Sequence, residues 1–259
     1  MEYGLIGEKL GHSYSKIIHE KIGGYDYKLK PLGKDIFDDF MRSRDFKGIN
    51  VTIPYKKDVI PYLDEIDEVA AKIGAVNTII NVDGKLKGFN TDFYGLLYTM
   101  NHNQIQIEGK KVLVLGNGGA AKAVIALLEY MKAKEIILVG RTAKEGAITY
   151  EECYDSHSDS QVIINTTPLG MYPNIDAAAV DLAAFPMCTA VFDLIYNPLR
   201  TKLLQQAETL GMQAVGGLEM LVAQAVYAAE IYLNKKFDDS LIEKIYQDFL
   251  LEFKLMEFF

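Results

Sequence analysis

Cysteine is scarce. Of 259 residues only Cys153 and Cys188 carry a thiol, and neither lies in a C-x-x-C or other metal-ligand spacing. A disulfide framework is therefore not implied, and a reduced, cytoplasmic setting is expected. The four histidines are scattered and form no ligand motif, so no metal is expected. Positive charge is also short: 27 Lys and Arg stand against 35 Asp and Glu, a net charge of -8. That balance argues against a phosphate-backbone binder, because nucleic-acid affinity rests on Lys and Arg. A small anionic ligand needs only a local cradle of donors and is not excluded. No apolar run approaches the roughly 18 residues of a membrane span. The N-terminus, MEYGLIGEKLGHSYS, has no basic stretch followed by an apolar one. Neither nucleic acid nor membrane is expected as a partner, and there are no internal repeats or low-complexity segments.

What is present is an ordinary globular composition, 49% hydrophobic and 24% charged. The length suits one large domain or two small ones, and can bury a core without metals or disulfides. Short β-type runs alternate with longer helical runs. Strands are expected at 3–7, 25–30 and 48–54, the last stopping at Pro54. Helices are expected at 15–22, with Ser15 as the cap, and at 34–44, 64–73 and 92–101. The stretch 76–90 reads as a hairpin turning at Asp83-Gly84.

A polar segment, 103–109, marks a boundary. Beyond it come strands at 111–115, 135–140, 161–168 and 189–196 that are apolar throughout, then a helix at 199–210 and a short strand at 212–215. Continuous apolar strands separated by helices indicate a parallel sheet covered on both faces. Two helices close the chain at about 218–233 and 239–256, the second expected to pack back on the first domain. Between Arg141 and Gln161 the sequence is mostly polar, and this crossover is expected to be largely irregular.

GNGGAA at 116–121 follows a strand directly and opens a helix, the context a dinucleotide fingerprint requires. Gly116 allows the tight turn, Gly118 lets backbone approach a pyrophosphate, and Ala121 is the small residue where helix meets strand. The helix N-terminus offers free N–H groups to phosphate. NAD binders usually carry an acidic residue at the end of the second strand. Here that strand ends in Arg141, Thr142 and Lys144, with Glu145 the first carboxylate after it. A guanidinium and a hydroxyl suit a 2′-phosphate, so NADP is the expected cofactor.

The first domain holds clustered polar residues that packing alone does not require: HSYS at 12–15, GINVTIPYK at 48–56, GAVNT at 74–78 and GFNTD at 88–92. Singly each has a bland explanation as a cap, a turn or a surface lysine. In order, upstream of GNGGAA and followed by INTTPLGM at 164–171, DLIYNPLRT at 193–201 and GGLEMLVAQA at 216–225, they resemble the shikimate dehydrogenase family over nearly the whole chain.

The resemblance implies an α/β protein of two domains. One is an N-terminal α/β substrate domain, residues 1–102 with about 234–259; the other is a Rossmann-like doubly wound parallel-sheet NADP domain, residues 103–233. It implies reversible NADP-dependent reduction of 3-dehydroshikimate to shikimate, within aromatic amino acid biosynthesis; a monomer or homodimer is expected. Lys56 and Asp92 would be the catalytic pair. Ser13 and Ser15 would hold the substrate carboxylate. Thr52, Asn77 and Gln224 would hold the ring oxygens, with Tyr196 nearby. On the cofactor side it implicates Gly116, Asn117, Gly118, Gly119 and Ala120 at the pyrophosphate, and Arg141 with Thr142 at the 2′-phosphate, with Lys144 beside them. Thr167, Leu194 and Gly217 would lie near the adenine or nicotinamide portions.

The chain departs from the family pattern in places. Gly140 stands where Asn usually precedes the Arg-Thr pair, Glu145 occupies a usually basic position, Asn117 replaces Ala, and Lys16 stands where Pro is common. The Thr142–Asn165 segment is short, so one crossover helix is expected to be missing. Two alternatives remain: a sister enzyme using NAD on quinate or shikimate, and a non-catalytic nucleotide-binding relative. Fold alone does not fix function.

Overall fold

The computed structural model describes residues 1–11 and 13–256, with side chains to residue 253. His12, the first letter of the HSYS motif, lies outside the described residues. The chain divides into two compact units, Met1–Gly95 with the stretch from Val222 onward, and Leu96–Leu221. The divisions fall inside two helices, whereas the sequence reading sets its boundaries at 102/103 and 233/234, near the ends of those helices.

The first part of the chain runs β1 (Tyr3–Gly7), α1 (Ser15–Ile22), β2 (Tyr27–Pro31), α2 (Lys34–Ser43), β3 (Gly48–Val51), β4 (Glu65–Ile66), α3 (Glu68–Ile73), β5 (Thr78–Val82), β6 (Lys85–Phe89) and α4 (Thr91–His102). Its strands form one mixed sheet in the order β2-β1-β3-β5-β6-β4. β5 is antiparallel to β3 and β6, and the other pairs are parallel. The hairpin turns at Asp83 and Gly84 with φ of 51° and 82°, the positive values a primed turn needs. The run 64–73 is not one helix. Its first residues form the short β4, and helix begins only where the Asp67 side chain accepts the Val69 N–H. As N-cap, Asp67 is itself non-helical, so helix starts after it, and Glu65 and Ile66 pair with β6 instead.

A core of Ile6, Ile49, Val76, Ile79 and Leu86, all fully buried, lies against the sheet with Phe37 and Met41 of α2. Each such side chain contributes roughly 1.5–3 kcal/mol. Ile36, on the same helix, is exposed.

The chain continues through β7 (Lys111–Leu115), α5 (Gly119–Tyr130), β8 (Glu135–Gly140), β9 (Ile148–Thr149), α6 (Tyr150–Ser156), β10 (Val162–Asn165), β11 (Ala190–Asp193), α7 (Lys202–Thr209), β12 (Gln213–Gly216), α8 (Leu218–Leu233) and α9 (Ser240–Met256). The second sheet is wholly parallel, ordered β12-β11-β10-β7-β8-β9. That is the doubly wound order, whose ligand crevice lies between β7 and β10, where the strand order reverses. Within the first unit, α9 packs on α1: Tyr14 lies edge-on to Phe249, and Lys21 pairs with Asp248 and Glu252.

The crossover after β8 is irregular through residue 147 and again from residue 157, as expected, but not throughout. A seven-residue helix, α6, forms there; the Thr149 hydroxyl caps it by accepting the Glu152 N–H, and Cys153 is buried from it. Two turns of helix need only one buried residue and a cap, so a polar stretch sufficed.

Candidate active site

Three features of the mixed sheet set the polar cluster of the first unit. β3 ends at Val51, and the chain turns through Thr52 toward Lys56. The Val76 N–H bonds to the Lys56 carbonyl at 2.8 Å, which carries the chain to Asn77 at the start of β5. The hairpin then returns it to α4, with Asp92 in the first turn. These segments bring Lys56, Asn77 and Asp92 together. The Lys56 ammonium donates to Asp92 Oδ2 at 2.6 Å, and the Asn77 amide nitrogen donates to Asp92 Oδ1 at 2.9 Å. Both carboxylate oxygens are thus engaged, and the helix N-terminus favours the negative charge. The side chains of Lys56 and Asp92 are 28% and 18% exposed, enough to meet a ligand.

Behind this trio lies a buried network. The Asn77 amide oxygen accepts from the Thr91 N–H at 2.7 Å and from the Thr78 hydroxyl at 3.0 Å. Asn50 donates to the Thr78 hydroxyl at 3.0 Å and accepts from the Tyr27 hydroxyl at 2.6 Å. Asn50, Thr78 and Thr91 are buried and satisfied, which fixes the orientation of the Asn77 amide. The sequence analysis did not single out these three or Tyr27. A polar residue at an inward strand position was the signal available at Asn50.

Ser13 and Ser15 sit at the start of α1, beyond β1. The cap expected at Ser15 is not there; Ser15 is inside the helix, and its N–H donates to the Ser13 hydroxyl at 3.3 Å. Thr52 is half-buried beyond β3, next to β1 in the sheet. Gln224 is buried in α8. Tyr196 is half-buried just after β11, in the other unit.

In the second unit a cleft of about 540 Å³ opens at the strand-order reversal. Its walls include Gly116, Asn117, Gly118, Arg141, Thr142, Tyr150 and Thr167. Gly116 has φ of 101°, and a Cβ there would lie 2.8 Å from the Thr166 hydroxyl. Only glycine fits that turn. Gly118 precedes α5 with no side chain capping the helix, and Ala121 is buried where α5 meets β7. Gly119 and Ala120 form the exposed first turn. Arg141 and Thr142 stand exposed at the end of β8; Lys144 is exposed beyond them and outside the cleft walls. Leu194 and Gly217 meet backbone to backbone: a Cβ on Gly217 would fall 2.1 Å from the Leu194 carbonyl oxygen. A glycine turn, an uncapped helix end and a guanidinium-hydroxyl pair are the donor set a phosphorylated dinucleotide needs, so the residues fit NADP.

A family model described as the shikimate dehydrogenase substrate binding domain matches residues 5–79. A shikimate dehydrogenase (NADP(+)) of Clostridium beijerinckii is 44% identical, over 97% of this chain and 99% of its own length. This chain belongs to the shikimate dehydrogenase family. Among solved structures, a chorismate mutase/shikimate 5-dehydrogenase fusion protein from Clostridium acetobutylicum matches with a TM-score of 0.92, at 39% identity and 97% coverage of both chains. Shikimate 5-dehydrogenase from Thermus thermophilus, solved in complex with NADP(H) and shikimate, matches with a TM-score of 0.84, at 28% identity, covering 96% of this chain and 99% of that one.

For a shikimate dehydrogenase family member, Gly140 now has a physical account. The short strand β9 pairs with the end of β8, Gly140 opposite Thr149. A Cβ on Gly140 would stand 3.3 Å from the Thr142 carbonyl oxygen and 3.4 Å from the Ala147 Cβ. The compact crossover leaves little room for the larger residue usual in shikimate dehydrogenases. Tyr150, on the same crossover, enters the cleft wall, and the sequence analysis missed it.

Proposed function

We propose that this protein is an NADP-dependent shikimate dehydrogenase that interconverts 3-dehydroshikimate and shikimate. The observation that carries the reading is the Lys56–Asp92–Asn77 constellation, in a chain whose second unit has a dinucleotide cleft. A protein that only sensed nucleotide would have no need of a half-exposed ammonium held by a carboxylate.

NADPH, when bound, supplies the hydride. Gly116, Asn117, Gly118 and the first turn at Gly119 and Ala120 hold its pyrophosphate, and Arg141 with Thr142 holds its 2′-phosphate. Thr167, Leu194 and Gly217 flank its bases. Ser13 and Ser15 bind the substrate carboxylate, and Thr52, Asn77, Gln224 and Tyr196 orient the ring hydroxyls. Reduction of a ketone leaves negative charge on its oxygen. The Lys56 ammonium stabilises that charge and delivers the proton, while the Asp92 carboxylate fixes the ammonium's position. The NAD-linked alternative lacks its usual acidic residue at the end of β8. The substrate is a small molecule, without nucleic-acid or membrane partner; among the described residues no helix is long and apolar enough to cross a membrane. We place the enzyme in the cytoplasm, as a monomer or homodimer. The substrate-binding unit takes in residues 1–102 and about 234–259, with 103–233 as the dinucleotide-binding unit.

The test follows the near-ultraviolet absorbance of reduced nicotinamide with purified protein, shikimate, and NADP or NAD in parallel. Turnover with strong NADP preference supports the whole reading. Turnover favouring NAD keeps the chemistry and removes the 2′-phosphate assignment. Folded protein with no turnover on shikimate or quinate would overturn the enzyme reading.

A further inference from the structure

The end of β8 presents one cation fewer to the cofactor than the family pattern leads one to expect, because Glu145 stands at the later basic position. The structure shows what stands near that gap. Tyr150 is the first residue of α6, half-buried, with its side chain against the core formed by Leu113, Val139 and Cys153. It is also part of the cleft wall, together with Arg141 and Thr142. Burial raises its phenol above the ordinary value although Arg141 pulls the other way, so the group stays a neutral O–H at physiological pH. Among the described residues no hydrogen bond engages the side chains of Arg141, Thr142 or Tyr150. Three donors without hydrogen-bond partners among the described residues therefore line one cleft.

We propose that Tyr150 is a specificity-determining residue for NADP, its hydroxyl donating to the 2′-phosphate beside Arg141 and Thr142. A ring anchored on one side by the core holds its hydroxyl with little entropy to lose on binding. The compact crossover is what makes this possible: the same β9–α6 segment that leaves little room for a side chain at Gly140 delivers Tyr150. The inference rests on the reading that this cleft takes NADP.

The test is calorimetric binding of 2′,5′-ADP and 5′-AMP to the whole protein, wild type and Tyr150→Phe, with thermal melting as the folding control. Wild type is expected to prefer 2′,5′-ADP. Tyr150→Phe keeps the anchored ring and is expected to weaken 2′,5′-ADP by about 10- to 100-fold, the loss of one hydrogen bond to a charged group, with 5′-AMP unchanged. An unchanged preference in Tyr150→Phe, or equal losses for both ligands, overturns the proposal. If wild type itself showed no preference for 2′,5′-ADP, the NADP reading would fail first, and the two failures are distinguishable.

Discussion

The Asn77 amide holds Asp92 with one end and the start of α4 with the other. Its nitrogen donates to the carboxylate at 2.9 Å and its oxygen accepts the Thr91 N–H at 2.7 Å. One side chain thus couples the orientation of Asp92 to the position of the helix that carries it. Asn77→Ala is expected to lower kcat/KM by about 10- to 100-fold, the range for losing a hydrogen bond to a charged group. Steady-state rates decide this, and near-wild-type activity would show that Asp92 needs no such support.

Lys56→Ala should lower kcat far more than it raises KM, because its contact strengthens as charge develops on oxygen. A general acid is worth about 10²–10⁴-fold. Kinetics with only a KM effect would remove Lys56 from the catalytic role and leave it a binding residue.

Gly116→Ala should cripple the cofactor cleft while leaving the first unit intact. The substitution forces an L-residue to φ of 101° and drives a methyl to 2.8 Å from the Thr166 hydroxyl. Strain of this kind costs about 1–3 kcal/mol. Fluorescence titration with NADPH should show weakened binding, and shikimate binding measured calorimetrically without nucleotide should persist. Unaltered NADPH affinity would mean the turn relaxes without consequence.

Acid should unfold the protein partly through His19. The ring is fully buried, stacked on Tyr27 at 3.9 Å with Tyr25 bonded to Nδ1, and burial pushes its pKa from 6.5 down to about 3. The folded value lies below the unfolded one, so the unfolded chain takes up the proton first. The contribution is fully present above pH 6.5 and is lost as pH falls toward 3. Asp193 acts in the opposite sense. Burial raises it to about 6 against the hydrogen bonds from Thr201, Ile195 and Asn165. Its contribution is therefore present below 3.8 and lost as pH rises through 6. His19→Phe keeps the stack and removes only the first effect, so its melting temperature should fall less steeply than wild type between pH 7 and pH 4.5. Parallel slopes would exonerate His19.

Legibility differed from element to element. The largely apolar strands β7, β10 and β11 could be read because burial on both faces confines polar residues to the strand ends, and β8, though only half-buried over much of its length, keeps an apolar run between Glu135 and Gly140. The Asp83-Gly84 hairpin was legible because positive φ is a local property. Helix α6 was not, because its stability comes from the core that receives Cys153 rather than from its own pattern. The split of 64–73 into β4 and α3 was missed because Glu65 and Ile66 are held by pairing with β6, a contact distant in sequence.

The site divides the same way. The glycines of 116–119 were legible by type and spacing, because turns and phosphate cradles admit few residues, whereas Lys56, Asp92 and the two serines were legible as candidates only through ordered motifs that resemble the family. What the tertiary structure alone decided is which of them meet. The 2.6 Å contact of Lys56 with Asp92 spans 36 positions, and the support of Asn77 by Asn50 and Tyr27 spans up to 50, counted from residue 27 to residue 77. Such contacts depend on strand order, and strand order is settled by burying the sheet's faces together, a collective choice that no local stretch of sequence encodes.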